Sequence, residues 1–267
     1  MLAFAANSLL CRLALAQPSI DPASFGSIRL ASGAATLALV LYLKSASAPR
    51  YSDWFAAAML FAYVAFFSFA YLELTAGTGA LILFGAVQLT MFAAGLSAGE
   101  RFPAPAMGGL ALAAGGLIYL VSPGLSAPPL FGALLMAAAG VAWGFYSLRG
   151  RRASDPLAAT AGNFLRATPM ALALSLLYGS HAHLDAMGTA LAIASGAITS
   201  GLGYVIWYAA LPGLGSMRAA TVQLSVPPIA AFGGTLLLGE APSLRLILCS
   251  LAILGGIAIV LATRARK

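Results

Sequence analysis

Two stretches of the sequence share one pattern: LSAGERFPAPAMGGLALAAGGLIYLV at Leu96–Val121 and LLLGEAPSLRLILCSLAILGGIAIVL at Leu236–Leu261. In each, a Gly-Glu pair separates two apolar runs, and a Gly-Gly pair follows the glutamate fifteen residues later. The stretches align without a gap at an offset of 140 residues, so Glu100 corresponds to Glu240. A repeat at about half the chain length indicates that the chain is built from two copies of one unit.

A second set of correspondences extends the repeat toward the N-terminus. SIRLASGAATLAL matches FLRATPMALALSL at an offset of 137 residues, which pairs Arg29 with Arg166. At the same offset Phe67 corresponds to Tyr204. A small insertion around Leu211–Gly213 would account for the change of offset from 137 to 140.

The composition excludes a water-soluble globule. Hydrophobic residues make up 61% of the chain and charged residues 8%, whereas soluble domains carry roughly 25% charged residues. Apolar runs of about 20 residues recur from end to end, and that length spans a hydrocarbon core of roughly 30 Å. Backbone groups in lipid must be hydrogen-bonded within the element, and the runs lack the alternation of a transmembrane barrel. The sequence therefore predicts an all-α membrane protein.

Polar and Pro/Gly-rich breaks divide the chain into ten predicted transmembrane helices. We expect the first to be a retained helix rather than a cleaved signal peptide, because no basic segment precedes it and Asn7 and Arg12 interrupt its apolar run. The predicted spans are about 2–17, 25–44, 53–73, 77–98, 104–121, 130–149, 158–178, 188–210, 216–238 and 244–262.

Lysines and arginines near the helix ends predict the orientation, because cytoplasmic loops carry an excess of these residues. With the N-terminus inside, the cytoplasmic segments hold ten of them, and the opposite side holds only Arg245. We therefore expect both termini to be cytoplasmic. The basic pI then reflects membrane orientation rather than nucleic-acid binding, which would need an aromatic or groove-reading element.

The number of helices in each copy determines how the copies are related. Five is an odd number, so the two copies enter the membrane from opposite sides. We expect one unit over residues 1–125 and a second, inverted unit over residues 126–267. Inverted repeats around a site near the membrane midplane are a recurring architecture of secondary transporters. The duplication therefore predicts a transporter that works by alternating access.

These helices resemble the EamA-type branch of the drug/metabolite transporter superfamily. The resemblance rests on ten spans in inverted halves, a Gly-Glu turn and a Gly-Gly helix in each half, the opening FAANSLLCRLALA, and Trp143-Gly144 in span six. A tryptophan often found in the first helix of that family is replaced by Ala6-Asn7-Ser8. Within the superfamily the chain is most similar to YddG-type amino-acid exporters. The resemblance implies a multi-pass exporter of the bacterial inner (plasma) membrane, with a cavity lined by spans one, three, four, six, eight and nine.

Polar and aromatic side chains near mid-span are the candidates for a substrate pocket. Trp143 and Tyr204 lie deep, where a lipid-facing indole N–H or hydroxyl would be unpaired. Aromatic residues at helical spacing, such as Tyr204 and Trp207, are also typical of packing or of an interfacial belt. We expect the pocket to suit a zwitterion or an uncharged metabolite better than a strong ion. The candidate substrate-binding residues are Asn7, Tyr63, Gln88, Trp143, Tyr146, Tyr204, Trp207, Gln223 and Pro227.

Pro227 and Pro228 fall within the predicted ninth helix. Proline lacks an N–H donor and clashes with the carbonyl four residues earlier, so the carbonyls of Gln223 and Leu224 would be freed near the bilayer centre. Such carbonyls face either a neighbouring helix or a water-filled cavity, and the sequence leaves both alternatives open.

Charged residues are scarce inside the spans. No Asp, Glu, Lys or His falls in the central third of any span, which argues against a dedicated buried proton carrier. Arg12, Arg29 and Arg166 do lie within spans. We expect them to reach the interface or to bond helix ends rather than to bind a substrate carboxylate.

Three glutamates stand at predicted turns. Glu73 is expected to cap the fourth helix or to pair with an arginine. Glu100 and Glu240 are expected to tie a tight turn to the start of the next helix, which is a structural role.

The sequence shows no constellation for catalysis or metal binding. Cys11 and Cys249 lie inside apolar runs, and His181 and His183 have no further ligand at metal-site spacing. GLSAG at Gly95–Gly99 matches the G-x-S-x-G pattern of hydrolases, but that motif requires a strand-turn-helix setting and a nearby base. We therefore predict that the chain is not an enzyme and has no cofactor and no metal.

The function that these observations favour is a secondary transporter that exports amino acids or similar small metabolites. The alternatives are a passive facilitator or channel, a permease for another class of metabolite, and an intramembrane enzyme or helical scaffold. The expected partners are a small-molecule substrate and membrane lipid, with no nucleic acid. The sequence is consistent with a monomer and does not determine the oligomeric state.

Overall fold

A computed structural model of the chain describes residues 1–17, 19–44, 53–100, 102–150, 153–207, 209–210 and 222–264. This part of the chain folds into ten long helices and one short 3-10 turn, Gly179–His181, and its only β feature is an isolated bridge between Ile20 and Leu184. The long helices are α1 (Leu2–Ala16), α2 (Pro22–Leu43), α3 (Trp54–Ala70), α4 (Ala76–Ser97), α5 (Ala104–Val121), α6 (Leu130–Gly150), α7 (Pro156–Leu177), α8 (Ala186–Trp207), α9 (Val226–Leu238) and α10 (Leu244–Arg264).

Most of these helices have the length and composition of membrane spans. Six are long and apolar enough to cross a bilayer, namely α2, α4, α5, α6, α8 and α10, and the shorter helices α1, α3 and α9 are also apolar. Each of the ten overlaps one predicted span. The prediction of an all-α, multi-helix membrane fold is confirmed.

Helix starts follow from side chains that the sequence places ahead of the apolar runs. Asp21, Asp53, Asp155 and Asp185 precede α2, α3, α7 and α8, and each carboxylate accepts a backbone N–H from the first turn of its helix. Thr75 caps α4 in the same way. These caps satisfy amide groups that have no partner within the helix.

The two Gly-Glu turns of the repeat share a left-handed glycine. Gly99 and Gly239 adopt φ values of +83° and +67°, in the left-handed region that glycine occupies without strain. The amides of Glu100 and Glu240 then donate to carbonyls of the preceding helix, at 3.0 Å and 3.1 Å. The repeated pair thus ends a helix in both halves, although the Glu100 amide reaches back five residues and the Glu240 amide six.

Helix packing follows a paired pattern. The most extensive contacts join α5 to α10, α3 to α6, α2 to α7, α4 to α6 and α2 to α8, and α1 packs on α8 and α9. Helix α3 also packs on α7. Exchanging α1–α5 for α6–α10 maps each of these pairs onto itself or onto another observed pair.

Helix α8 changes from α-helical to π-helical winding at Ala194–Leu202. Gly196, in this segment, lies so close to α2 that a Cβ would collide with the backbone of Arg29. The segment also carries Thr199 and Ser200, both buried. Wide helical turns of this kind are frequent at functional sites, and this one faces the interior of the bundle.

Candidate substrate-binding site

A cavity of about 380 Å³ lies between the helices. This volume falls near the low end of the range for ligand pockets, roughly 300–1,000 Å³, so the cavity suits a small metabolite. Its lining comes from α1, α2, α3, α4, α6 and α8, with Pro156 at the start of α7 and Gln223 ahead of α9.

The cavity brings together eight of the nine residues chosen from the sequence. The eight are Asn7, Tyr63, Gln88, Trp143, Tyr146, Tyr204, Trp207 and Gln223.

Pro227 is the exception, because it is buried outside the lining. It occupies the second position of α9, where a proline has no helical N–H bond to lose. Val222 and Gln223 are helical, residues 224–225 form a turn and α9 begins at Val226, so the two prolines directly follow a break in the helical winding, and both alternatives for the carbonyls of Gln223 and Leu224 stay open. Residues 211–221 of the predicted ninth span lie outside the described residues.

Four rings form an aromatic cluster in the cavity wall: Tyr63, Trp143, Tyr146 and Tyr204. Trp143 is its centre, with ring centroids 4.8 Å from Tyr63, 5.2 Å from Tyr146 and 5.6 Å from Tyr204. The Trp143 and Tyr204 planes are inclined by only 20°. Rings from α3, α6 and α8 thus meet inside the bundle, where a flat or apolar group can pack against them and a cation can face their π surfaces.

Asn7 connects α1 to α8 and α3. Its Oδ1 accepts hydrogen bonds from Ser195 at 2.6 Å and Thr199 at 3.3 Å, and its Nδ2 donates to the Tyr63 hydroxyl at 3.5 Å. The side chain is 5% exposed. Because a buried amide is costly without partners, these bonds fix the orientation of Asn7 at the cavity wall.

Arg29 also lines the cavity, and sequence reasoning missed it. The residue is 2% exposed, so the expectation that it reaches the interface is wrong. Its Nε donates to Ser200 Oγ at 3.2 Å and its Nη2 donates to the Tyr63 hydroxyl at 3.1 Å. The guanidinium carbon lies 5.2 Å from the centroid of the Tyr63 ring and 5.1 Å from that of Phe67. A full positive charge is therefore held inside the bundle by two hydroxyls and two rings.

The layer beyond Arg29 is closed by a group of contacts that we call the Arg12–Glu240 clamp. Arg12 Nε donates to Glu240 Oε1 at 2.9 Å, and its Nη1 donates to the carbonyl of Tyr71 at 2.9 Å. Glu240 Oε2 accepts the N–H of Ala76 at 2.8 Å. Tyr71 and Cys11 are fully buried in this layer. The clamp joins α1, the end of α3, the start of α4 and the α9–α10 turn.

The contacts of the clamp test the roles that the sequence predicts for Arg12 and Glu240. Arg12 bonds a helix end, as predicted. Glu240 ties its turn to the start of α4 rather than to the next helix in the chain, because α4 and α9 pack against each other and bring the turn beside Ala76.

The opposite end of the cavity reaches the ends of α6 and α7 at Gly150 and Pro156, the side predicted to be cytoplasmic. Arg149 Nε donates to Asp53 Oδ2 there at 2.6 Å, between side chains that are 49% and 36% exposed. Burial raises the pKa of Asp53, but hydrogen bonds from Arg149 and from the Ala56 amide outweigh it and hold the pKa below its usual value.

Comparison with known proteins shows which family the chain belongs to. The chain is 56% identical to the "Uncharacterized protein PA1977" of Pseudomonas aeruginosa over 265 residues. This alignment covers 99% of the chain and 92% of the relative. Residues 130–262 match the EamA-like transporter family. The chain belongs to that family. A solved structure described as "Crystal structure of protein" has the same fold, with a TM-score of 0.70 and 21% identity over 100% of this chain and 98% of the other.

Membership of the EamA-like transporter family confirms the resemblance seen in the sequence to the drug/metabolite transporter superfamily. It makes the chain a multi-pass membrane transporter of small molecules. The match covers α6 to α9 and nearly all of α10, which is the part of the chain that contributes Trp143 and Tyr204 to the cavity.

Two other charged residues of this EamA-like transporter take structural positions. Glu73 Oε2 accepts the N–H of Gly132 at 2.9 Å and so caps α6. The expectation that Glu73 caps α4 is wrong, because Thr75 performs that role. Arg166 lies with its guanidinium 5.4 Å from the centroid of the Trp54 ring.

The G-x-S-x-G match is a helix ending. Ser97 is the last residue of α4, and its Oγ donates to the carbonyl of Ala94 at 2.9 Å. The strand-turn-helix setting of a hydrolase elbow is not formed there. Family membership likewise favours a transporter over an enzyme.

Proposed function

We propose that this EamA-like transporter exports amino acids or similar small metabolites across the bacterial inner membrane by alternating access. The observation that carries the proposal is the asymmetry of the cavity. Its lining extends to Gly150 and Pro156 at one end, and the Arg12–Glu240 clamp and fully buried side chains close the other. A site inside the bundle that is closed at one end is the geometry of one state in an alternating-access cycle.

The paired helix contacts support a division into two related units, residues 1–125 and 126–267. Pairs such as α3–α6 and α8–α1 exchange when the two halves are exchanged. The partners of the clamp also have counterparts on the other side of the membrane: Arg149 corresponds to Arg12, and Glu100 corresponds to Glu240. Rocking of the halves would open one end while closing the other.

The lining chemistry supports a small, partly apolar substrate. Asn7, Gln88 and Gln223 supply amide groups, and the aromatic cluster supplies an apolar wall. These groups can position a molecule with one polar end and one apolar end. The eight cavity residues chosen from the sequence are therefore the proposed substrate-binding residues.

The test is transport by the pure protein in liposomes. Radiolabelled amino acids, nucleosides and sugars are offered in turn, and counterflow is measured against an excess of unlabelled compound inside. A transporter gives saturable uptake that is stimulated by counterflow. A passive channel gives flux that rises linearly with concentration and shows no counterflow, and that result would reject alternating access.

Trp143→Ala tests the binding assignment. Trp143 is the centre of the aromatic cluster, and packing of a substrate group against an aromatic ring contributes about 0.5–1.5 kcal/mol beyond the apolar area that it buries. We expect the half-saturating substrate concentration to rise at least roughly tenfold, which corresponds to about 1.4 kcal/mol. Trp54→Ala is the matched control, because Trp54 is exposed and lies outside the cavity lining. Equal transport by both variants at equal membrane level would remove Trp143 from the site.

A further inference from the structure

The charge of Arg29 has no counter-ion among the described residues. The ion pairs in this part of the chain are Arg12–Glu240 and Arg149–Asp53, and neither includes Arg29. Arg29 is also the one charged residue in the described lining of the cavity. An uncompensated charge inside a membrane protein is costly, and such groups usually mark a substrate or ion pathway.

The guanidinium also has an unused donor. Nε and Nη2 are bonded to Ser200 and Tyr63, but Nη1 has no hydrogen-bond partner among the described residues, although it is fully buried. A guanidinium presents five N–H donors in a planar fork. Hydroxyls and ring faces hold it in place, but they do not neutralise its charge.

The repeat counterpart of Arg29 argues against a purely structural role for this residue. Arg166 occupies the equivalent position in the second half, yet it is only partly buried and lies over Trp54. The duplicated fold therefore does not require an arginine buried at this position. Burial of the charge is specific to the half that contributes Arg29 to the cavity.

The surroundings identify the kind of ligand that would complete the site. Arg29 contacts Tyr63, and Tyr63 contacts Trp143 at the centre of the aromatic cluster, so a cationic end and an aromatic wall are continuous. A carboxylate matches the planar guanidinium fork in geometry and charge. An ammonium or apolar group on the same molecule would then lie against the rings.

We propose that Arg29 binds the carboxylate of the transported molecule, and that small organic carboxylates with an apolar or amine-bearing remainder are the substrate class. This rests on the proposed transport function and replaces the expectation from the sequence that Arg29 is structural. Inorganic anions share the negative charge but have no group for the aromatic cluster.

The experiment measures binding to the purified full chain in detergent, by intrinsic tryptophan fluorescence and by thermal shift. The probes are L-phenylalanine, L-leucine, L-threonine and pyruvate, each compared with its amide, together with chloride and inorganic phosphate. In the native chain we expect at least one acid to bind roughly tenfold or more tightly than its amide, since a hydrogen-bonded charge pair is lost in the amide.

Variants separate Arg29 from a general charge effect. Arg29→Met should abolish the preference for the acid over the amide, and Arg29→Lys should restore part of it, because the charge is kept and the fork is lost. Arg166→Met is the matched control and should leave the preference unchanged. If Arg29→Met does not fold, the native acid-to-amide comparison and Arg29→Lys still decide the matter.

Three results would overturn the assignment: no acid binds, acid and amide bind equally to the native chain, or phosphate or chloride binds as tightly as the best acid. Failure of the Arg29 assignment can be distinguished from failure of the proposed transport function. Saturable transport of a sugar or nucleoside that no carboxylate inhibits would keep the transporter and remove this site. Carboxylate-selective binding without flux in liposomes would keep the site and remove the transporter.

Discussion

Glu240→Gln is expected to open the closed end of this transporter. The substitution removes the charge that pairs with Arg12 but keeps an amide oxygen that can still accept the Ala76 N–H. It therefore weakens the Arg12–Glu240 clamp without removing the contact to α4. The state in which this end is closed should lose stability relative to the state in which it is open.

The magnitude follows from the geometry of the pair. Arg12 Nε and Glu240 Oε1 are 2.9 Å apart, and the two side chains are 18% and 14% exposed. Two unit charges about 4 Å apart at an effective dielectric constant of about 20 attract by about 4 kcal/mol. Desolvation offsets a large part of this attraction. A net loss of about 2 kcal/mol corresponds to a roughly 30-fold shift of the equilibrium toward the open state.

Cys11 is a native reporter of that shift. It is fully buried in the closed layer and adjacent to Arg12. In a Cys249→Ser background, a membrane-impermeant thiol reagent added from outside should label Cys11 roughly 30-fold faster in Glu240→Gln than in the parent. Asp53→Asn is the matched control, because it removes the ion pair at the opposite end and should not increase labelling.

Two results would refute the reasoning. The first is unchanged Cys11 labelling in a Glu240→Gln chain that is present in the membrane at the parent level. The second is equal acceleration of Cys249 labelling in a Cys11→Ser background, because Cys249 is buried in α10 and makes none of the clamp contacts. General loosening of the fold would then explain the labelling.

Two further predictions concern stability. The pKa of Asp53 is lower in the folded state than in the unfolded state, so its bond to Arg149 stabilises the fold at pH values above the unfolded pKa of about 3.9. This stabilisation is lost as pH falls through the lower folded pKa, and the unfolding temperature in detergent should drop by a small amount over that interval. Asp53→Asn should remove this pH-dependent component. Gly140→Ala should destabilise by about 1–3 kcal/mol, because a Cβ there would lie 2.6 Å from the Cβ of Ala86. Gly115→Ala, where a Cβ meets nothing within 4 Å, should be neutral or stabilising in the same thermal unfolding assay; equal effects of the two glycine substitutions would contradict close packing of α4 on α6.

The sequence predicted the helices well because the signals are local. Apolar runs set the spans, Asp21 and Asp155 mark helix starts, and Gly99 and Gly239 mark the repeated turn. The start of α9 directly ahead of Pro227 and Pro228 was not predicted, since a proline can either kink a helix or begin one.

The face of each helix that borders the cavity is harder to predict. In a soluble protein the apolar face of a helix points to the core, but in a membrane both the lipid and the helix contacts are apolar. Polar and aromatic residues such as Asn7 and Trp143 stood out against that background. Arg29 did not stand out in this way, because an arginine near a helix end can reach the interface. Its burial and its contact with Tyr63 become known only when α2, α3 and α8 are placed together.

The contrast between Arg12 and Arg29 links recognition to movement. The charge of Arg12 is neutralised by Glu240, so the closed layer carries no net charge from this pair. The charge of Arg29 is not neutralised within the described residues, and although its side chain is only 2% exposed it borders the cavity, so closing that cavity over an empty site would remove the nearby solvent that screens a lone cation, which costs several kcal/mol. A bound carboxylate removes that cost. On the proposal made above, the occluded state is therefore accessible mainly when substrate is bound, so the same arginine that selects the substrate also opposes movement of the empty transporter. In liposomes that contain the native chain, counterflow should accordingly be fast, and efflux without substrate on the opposite side should be slow. Arg29→Lys should preserve the ratio of the counterflow rate to the efflux rate better than Arg29→Met.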